Sequence, residues 1–316
     1  MTILPYEIHN DLADFKAVAL KLKNFAVAQG WTLISYQTSV QWASIGGGLF
    51  GFIAGTEDFL HITSPGFGSQ SLQYRLRIQN NVSDSLDGII YVYGHKGSTS
   101  YNTSSSTHPA AQTSPSQLWT IRPEHSFPRS TIPTTWLFGN EKILMVVCKV
   151  DSLFSTSMIF GSVDLVDSAE TEGDFYPWKS GAYGTAQAWY NHNVIFSLDN
   201  ATADVIYYDG VRKSSTAGAN FILTTGNGFT NSIFDGYGRC IQRNIYSDIR
   251  PIFKQKFYVQ KTSDSRYRLL GTGWVYRLWT EGIEIGQKIK YGSNEYLCFP
   301  QGRVLEWFMG FAVRIS

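Results

Sequence analysis

Apolar and polar side chains alternate along residues 72–78, LQYRLRI, with a period of two. That period is typical of a β-strand with one buried face. We therefore predict a half-buried strand here, with Arg75 and Arg77 on its outer face. Shorter apolar runs at Trp31–Tyr36 and Phe59–Ile62 predict two further strands nearby.

One segment follows a helical period instead. Between Asp11 and Gln29, apolar residues recur three or four positions apart and form one stripe. The stripe consists of Leu12, Phe15, Val18, Leu22 and Phe25. Asn10 or Asp11 can cap the start of this helix, and Gly30 can end it. Because an apolar stripe must be buried against another element, we predict that the helix covers one face of a sheet.

The densest apolar pattern lies in residues 135–166, where three strands follow one another with short polar breaks. Gly139 and Asn140 predict a tight turn between the first two strands. The second strand, Ile143–Cys148, is continuously apolar, which predicts that both of its faces are covered. The cover can come from the centre of a sandwich, from a subunit interface, or from both. This stretch predicts an antiparallel meander.

The fold class is predicted to be mainly β, with antiparallel, β-sandwich-like sheets and one N-terminal amphipathic helix. Residues 64–68, SPGFG, predict a turn. Residues 97–117 are small, polar and almost uncharged, which predicts an exposed loop or linker. We accordingly divide the chain into an N-terminal helix and sheet region (1–96), this loop (97–117) and a C-terminal antiparallel region (118–316). The two regions can also form one interlocked fold.

The composition suits a chain with a large core. Of the 316 residues, 43% are apolar, 15% are aromatic and 16% are charged, which excludes a disordered chain. The net charge of +1 argues against nucleic acid as the main partner. No apolar run reaches the roughly 18 residues of a membrane span. The first residues lack the features of a secretory signal, and the three cysteines lack disulfide or metal spacing, so we expect cytoplasmic synthesis and reduced thiols.

Residues that could carry chemistry are present, but no arrangement selects a reaction. The chain has no Gly-x-Ser-x-Gly motif, and its six histidines show no ligand-pair or triad spacing. One acidic cluster lacks the order of a Ca²⁺ loop and is better interpreted as a solvated loop: Asp164, Asp167, Glu170, Glu172 and Asp174. Three acids near turns could serve a glycosidase, but nothing selects a pair: Glu141, Asp174 and Asp235. We predict no catalytic residue, no metal and no cofactor.

Aromatic residues concentrate in and after the segment Phe175–Gly184, near predicted turns. The candidate site residues are Tyr176, Trp178, Tyr183, Trp189 and Tyr190. Such rings can stack on sugars, but they are also enriched in cores and in subunit contacts. The sequence favours a core or contact role and leaves sugar stacking open.

Three groups of segments resemble virion structural proteins of tailed bacteriophages. The first is Ala28–Trp31 with Phe59–Gly68 and the alternating strand that follows. The second is Trp136–Asn140 with Lys142–Val150, the strand to Gly161, and Tyr176 and Pro177. The third is Gly286–Ile289 with Tyr296–Phe299 and Phe311–Arg314. The resemblance covers about half of the chain. Two features depart from it, namely Cys148 in place of an aliphatic residue and the polar loop.

The resemblance implies a non-enzymatic structural component of the virion tail, neck or baseplate, made in the cytoplasm of the bacterial host. Its expected partners are copies of itself in a homo-oligomer and other virion proteins, through apolar and aromatic interfaces. Part of the cover over Ile143–Cys148 is then expected from a neighbouring subunit. The alternative is a carbohydrate-binding module that recognises host surface glycans. No catalytic residue is carried over, because the resemblance contains none.

Overall fold

The structure, a computed structural model, describes residues 3–41, 56–67, 70–80, 88–96, 116–119, 131–149, 155–161, 164–165, 175–181, 204–207, 212–214, 221–223, 252–260, 267–300 and 309–316. Within these residues the chain forms one α-helix and nineteen β-strands. In chain order they are β1 (Tyr6–Leu12), α1 (Phe15–Ala28), β2 (Thr32–Gln41), β3 (Thr56–Phe67), β4 (Gln70–Asn80), β5 (Gly88–Lys96), β6 (Ser116–Trp119), β7 (Ile132–Gly139), β8 (Ile143–Lys149), β9 (Ser155–Gly161), β10 (Asp164–Leu165), β11 (Phe175–Gly181), β12 (Asp204–Tyr207), β13 (Arg212–Ser214), β14 (Phe221–Leu223), β15 (Ile252–Gln260), β16 (Tyr267–Trp279), β17 (Gln287–Tyr291), β18 (Asn294–Pro300) and β19 (Met309–Arg314).

These strands form three antiparallel sheets. The central sheet has the order β1-β7-β8-β9-β11-β12-β13, and the N-terminal sheet has the order β2-β3-β4-β5-β6. The C-terminal sheet has the order β14-β15-β16-β19-β18-β17, with β10 also paired to β16. The predicted fold class, mainly β with antiparallel, sandwich-like sheets and one N-terminal helix, is confirmed.

The central sheet is the middle layer of the core, which explains the continuously apolar sequence of β8. Leu144, Val146 and Cys148 belong to a buried cluster with α1 and the N-terminal sheet. Met145 and Val147 belong to a second cluster with the C-terminal sheet. All five are fully buried within the single chain. Both faces of β8 are therefore covered, as predicted. The cover comes from the chain's own layers, so the expectation that a neighbouring subunit supplies part of it is wrong.

Aromatic rings fill the space on both sides of the central sheet. Towards the N-terminal sheet, the ring centroids of Tyr74 and Phe160 are 4.9 Å apart, and Trp31 meets Phe160 edge-on at 6.1 Å. Towards the C-terminal sheet, Trp136 and Phe299 meet edge-on at 5.2 Å. Edge-to-face rings at these separations stabilise beyond the area they bury. The high aromatic content is thus used in part to join the three layers.

The helix α1 starts later than the sequence pattern predicts. The Asp14 carboxylate caps it by accepting a hydrogen bond of 2.8 Å from the N–H of Ala17. Asn10 and Asp11 lie in β1, so neither caps the helix and that prediction is wrong. Gly30 follows the end of the helix with φ of +88°, a conformation that favours glycine, as predicted.

Two local predictions for the N-terminal sheet are wrong. The turn predicted at residues 64–68 is strand as far as Phe67. β3 continues to pair with β4 there through a register shift between Ser64 and Phe67. Arg75 was expected on an open outer face, but it is only 3% exposed. Its guanidinium carbon lies 4.2 Å from the centroid of the Phe59 ring. Cation–π contact therefore accompanies the burial of this charge.

The regions before and after the predicted loop share a sheet and a core. β1 pairs with β7, for example Ile8 opposite Trp136, and α1 packs in the cluster between the central and N-terminal sheets. Residues 97–115 of the loop lie outside the described residues. Ser116 and Gln117 begin β6, which pairs with β5, so the loop prediction is wrong for these two residues.

Candidate interaction surface

The structure places two of the five aromatic candidates in a strand. Tyr176 and Trp178 lie in β11, whereas Tyr183, Trp189 and Tyr190 lie outside the described residues. β11 is paired on both sides, with β9 and with β12. Trp178 is an internal strand residue of the central sheet, opposite Gly161 at the end of β9 and Val205 of β12. Sugar stacking by these aromatic residues stays a prediction.

The acidic residues considered for metal or glycosidase chemistry are not brought together in the described part of the chain. Asp164 lies in β10, and Glu141 is exposed at the turn between β7 and β8. The other members of both sets lie outside the described residues. Among the residues that the structure describes, no group of three or more His, Cys, Asp or Glu side chains could hold a metal ion.

The thiol of Cys148 is the most strongly perturbed titratable group in the described part. Burial raises its pKa to about 12, and a hydrogen bond from the Thr135 hydroxyl, 3.6 Å from Sγ, lowers it by a smaller amount. A thiol with this pKa stays protonated at neutral pH, and the thiolate is the nucleophilic form. Cys148 is therefore a packing residue.

Apolar side chains are left exposed where α1 meets the edge strand β2. We call this line the α1–β2 seam, and it consists of Leu20, Val27, Leu33 and Ile34. Their exposed fractions are 42%, 49%, 39% and 47%. Single exposed apolar side chains are ordinary, but an aligned set indicates a contact surface.

Two lysines show which side of α1 faces this edge. Lys16 Nζ lies 3.3 Å from Asp58 Oδ1, and Lys23 Nζ lies 5.0 Å from the centroid of the Tyr36 ring. Asp58 also accepts a hydrogen bond of 2.9 Å from the N–H of Ser39 in β2. Residues 16, 20, 23 and 27 share one helical stripe, since they are four, three and four positions apart. Both seam residues of α1 therefore lie on the side of β2.

The two halves of the seam also lie at the same level. Lys16, near the start of α1, is level with Ser39, because both contact Asp58. Lys23, seven residues later in α1, is level with Tyr36, three residues earlier in β2. The two elements are therefore antiparallel. Val27 is one helical turn beyond Lys23 and is therefore level with Leu33, which pairs with Ile62 and so lies on the same face of the sheet as Tyr36, opposite Leu60. The seam is thus a set of exposed apolar side chains on a helix and on the edge strand that runs beside it.

Asp58 fixes the framework under the seam. It is 2% exposed and contacts Lys16, the Ser39 N–H and the Tyr36 hydroxyl, which donates at 3.5 Å. Burial is the main cause that raises the pKa of Tyr36, and the charge and hydrogen bond of Asp58 raise it further. Tyr36 is therefore neutral at physiological pH, and the strand keeps its position beside α1.

The seam offers side chains rather than backbone to a partner. β2 has register shifts between Leu33 and Ser35 and between Gln37 and Val40, and Ser39 has φ of +56°. Bulges of this kind bend an edge strand and prevent it from pairing with another strand. A partner would therefore contact the seam through apolar packing.

Comparisons with known proteins do not identify a family. No protein-family model matches the chain, and no curated protein matches it significantly. In the described part of the chain, α1 is the one helix, and it lacks the length and apolar character needed to cross a bilayer.

The seam was missed in the sequence because its residues lie off the main apolar stripe of the helix. Leu20 and Val27 interrupt the polar side of α1, seven residues apart, so they repeat on one face. That repeat is a usable signal. The contribution of Leu33 and Ile34 could not be foreseen, since it depends on how α1 is placed against β2.

Proposed function

We propose that this chain is a non-enzymatic structural component of a tailed-phage virion, in the tail, neck or baseplate. It functions by assembling with copies of itself and with other virion proteins. The observation that carries the proposal is the α1–β2 seam, a set of exposed apolar side chains where a helix meets an edge strand. Subunit interfaces combine such an apolar centre with a polar rim.

The packing of the core supports assembly by preformed subunits. The central sheet is covered on both faces by layers of the same chain, so its strands need no neighbour to be buried. Contacts with partners are then made by surfaces outside the core. The seam is a surface of this kind, since its four side chains are 39–49% exposed.

The segments that carry the phage resemblance are spread over all three layers. The first group contributes to the N-terminal sheet, the second to the central sheet and the third to the C-terminal sheet. The resemblance therefore concerns the framework of the fold, which agrees with a structural role. The expected site in the virion follows from that resemblance alone.

Polar substitution of the seam tests the proposal. The variant Leu20→Glu with Val27→Glu places charge on the seam, and Lys21→Gln with Ala28→Glu is its matched control. The control has the same seven-residue spacing and the same change in net charge, on exposed positions away from the seam. Light scattering over a range of concentrations measures self-association, and co-purification with phage particles measures incorporation.

We expect the wild type and the control to form a discrete multimer or to enter particles. The seam variant should keep its circular dichroism spectrum and lose association by at least about tenfold, since buried charge without a partner is costly. A wild-type protein that stays monomeric and is absent from particles would overturn the proposed function. A seam variant that assembles like the wild type would remove the seam from it.

A further inference from the structure

Within the residues that the structure describes, the outer edge of β1 is open along a short segment. β1 is the first strand of the central sheet and pairs with β7, and no other described strand lies along its outer edge. The open segment has clear ends: the N–H of Leu4 donates to the Arg314 carbonyl at 3.3 Å, and Asp11 turns away with φ of +52°. Between these ends, Tyr6–Asn10 is a regular extended strand whose centre is Ile8.

The hydrogen-bond pattern shows which backbone groups point outwards. The N–H of Gly139 donates to the carbonyl of Pro5 at 3.1 Å, which makes these two residues a hydrogen-bonded pair in the antiparallel ladder. Such pairs recur at every second residue, so Glu7 and His9 also direct their N–H and C=O groups to β7. The residues between them point these groups to the outer edge: Tyr6, Ile8 and Asn10.

We infer that β1 pairs with β1 of a second copy of this chain, antiparallel, around a twofold axis at Ile8. In this register Ile8 faces Ile8 of the partner copy, and Tyr6 faces Asn10. These are the residues with outward backbone groups, so the two strands form roughly six hydrogen bonds. The Ile8 side chain, 46% exposed in one chain, gains an identical apolar neighbour.

Complementary side chains favour this register. It places Glu7 opposite His9 of the partner copy, twice by symmetry, at positions where antiparallel strands bring side chains closest. The two side chains already complement one another within one chain, where His9 Nε2 lies 3.0 Å from Glu7 Oε2. Centring the pair on Glu7 would instead place two glutamates opposite each other, which destabilises a strand pair.

Two other edge strands in the described part, β17 and β2, carry features that oppose self-pairing. β17 has the same order of an isoleucine between two ionisable residues, Lys288, Ile289 and Lys290. Antiparallel pairing around Ile289 would place lysine opposite lysine, a known protection of sheet edges. β2 is bulged at two places. Of these three edges, β1 alone combines a regular backbone with complementary side chains, a carboxylate and an imidazole, at matching positions.

The inference rests on the proposed function and names a second contact, apart from the seam, through which copies of this chain associate. Cysteine cross-linking tests the register, in a Cys240→Ser background, since Cys148 and Cys298 are buried. Ile8→Cys should form disulfide-linked dimers under mild oxidation. Asn10→Cys is the matched control: its two copies would be about 13 Å apart along the strands, too far for a disulfide. Equal cross-linking by both variants, or by neither, would overturn the inference.

Proline substitution tests the hydrogen bonds without disturbing the sheet. Ile8→Pro removes an outward N–H and leaves the pairing with β7 intact, whereas Ile8→Val keeps the N–H and the branched side chain. We expect Ile8→Pro to weaken dimerisation about tenfold or more in light scattering, with an unchanged circular dichroism spectrum. Ile8→Val should dimerise like the wild type. Wild-type dimerisation by Ile8→Pro would contradict the inference.

Exchange of the charges tests the register a second time. Glu7→Lys should weaken the dimer, because lysine then faces His9, and adding His9→Glu should restore it. Failure of the restoration would count against this register. The outcomes also separate the two proposals: multimers without cross-linking through residue 8 would leave assembly standing and remove β1 pairing. Cross-linking by a protein that is absent from particles would leave β1 pairing standing and remove the proposed place in the virion.

Discussion

Gly286 packs directly against Trp136, and a Cβ added to it would lie 2.3 Å from Cζ2 of the indole ring. Gly286 precedes β17 in the C-terminal sheet, and its N–H donates to the carbonyl of Cys298 at 2.8 Å. Trp136 lies in β7 of the central sheet and is 5% exposed. This contact therefore sets how closely the two sheets approach.

Gly286→Ala should destabilise the protein strongly. Gly286 has φ of +78°, so alanine adds backbone strain to the collision with the indole ring. We expect a loss of about 2–5 kcal/mol in the free energy of unfolding, measured by urea titration. Gly292→Ala is the matched control, since Gly292 has φ of +61° but nothing within 4 Å of an added Cβ. Equal losses of unfolding free energy in the two variants would show that the indole ring moves away from the added Cβ at no cost in stability.

Tyr74→Phe should remove a hydrogen bond between the N-terminal and central sheets. The Tyr74 hydroxyl donates to the carbonyl of Gly161 at 2.8 Å, and both residues are buried. Leaving this carbonyl without its donor should cost about 1–3 kcal/mol of unfolding free energy. Tyr291→Phe removes a hydroxyl from a side chain that is 48% exposed and should cost nothing measurable. A neutral Tyr74→Phe would mean that another donor replaces the hydroxyl.

The fold class could be predicted from the sequence because period and composition report burial directly. The continuously apolar Ile143–Cys148 indicated two covered faces, and both are covered. Which residues cover these two faces could not be predicted, since the apolar pattern is the same whether the covering layers belong to the same chain or to another. Arg75 shows the reverse problem. The alternation of apolar and polar residues around it predicted the strand correctly, but the burial of the face that carries Arg75 depends on tertiary contacts.

The candidate surfaces were harder to predict than the fold. The sequence directed attention to aromatic residues such as Trp178, whose backbone lies in an internal strand. The seam and the open edge of β1 depend on which strands have a neighbour, and sheet order is not encoded in any local period. The start of α1 was misplaced because Leu12 fits both the strand and the helical pattern.

Cys148 should make stability depend on alkaline pH. Its pKa of about 12 in the folded chain exceeds the ordinary value of 9.0, because burial disfavours the thiolate. The unfolded chain therefore releases this proton first, so the stabilisation is complete below about pH 9 and is lost as the pH rises towards 12. Unfolding free energies of the wild type and Cys148→Ala, compared at pH 8 and pH 10.5, should show a steeper decline in the wild type. Parallel declines would contradict the assigned pKa.

The same burial predicts that Cys148 is unreactive. Iodoacetamide labelling followed by mass spectrometry should leave it unmodified at pH 8 in the native protein and modify it in urea, because alkylation requires an accessible thiolate. Cys298 is also buried and serves as an internal comparison within the same sample. Rapid labelling of Cys148 without urea would indicate that β8 opens locally.

The ion pair between Lys16 and Asp58 should contribute more to stability than a surface pair does. Asp58 Oδ1 lies 3.3 Å from Lys16 Nζ with the carboxylate side chain only 3% exposed. A double-mutant cycle with Lys16→Met and Asp58→Asn isolates their interaction, since the Ser39 N–H can still donate to the asparagine oxygen. We expect a coupling of about 1–3 kcal/mol that changes little with added salt.

The matched pair for this cycle is Lys290 with Glu295. Lys290 Nζ lies 3.4 Å from Glu295 Oε1, and the two side chains are 77% and 34% exposed. Solvent screens this pair, so the same cycle there should give at most about 0.5 kcal/mol, reduced further by salt. Equal couplings at the two sites would show that solvent reaches Asp58. The framework beneath the α1–β2 seam would then be looser than its burial implies, and the seam variant would need a separate test of helix position.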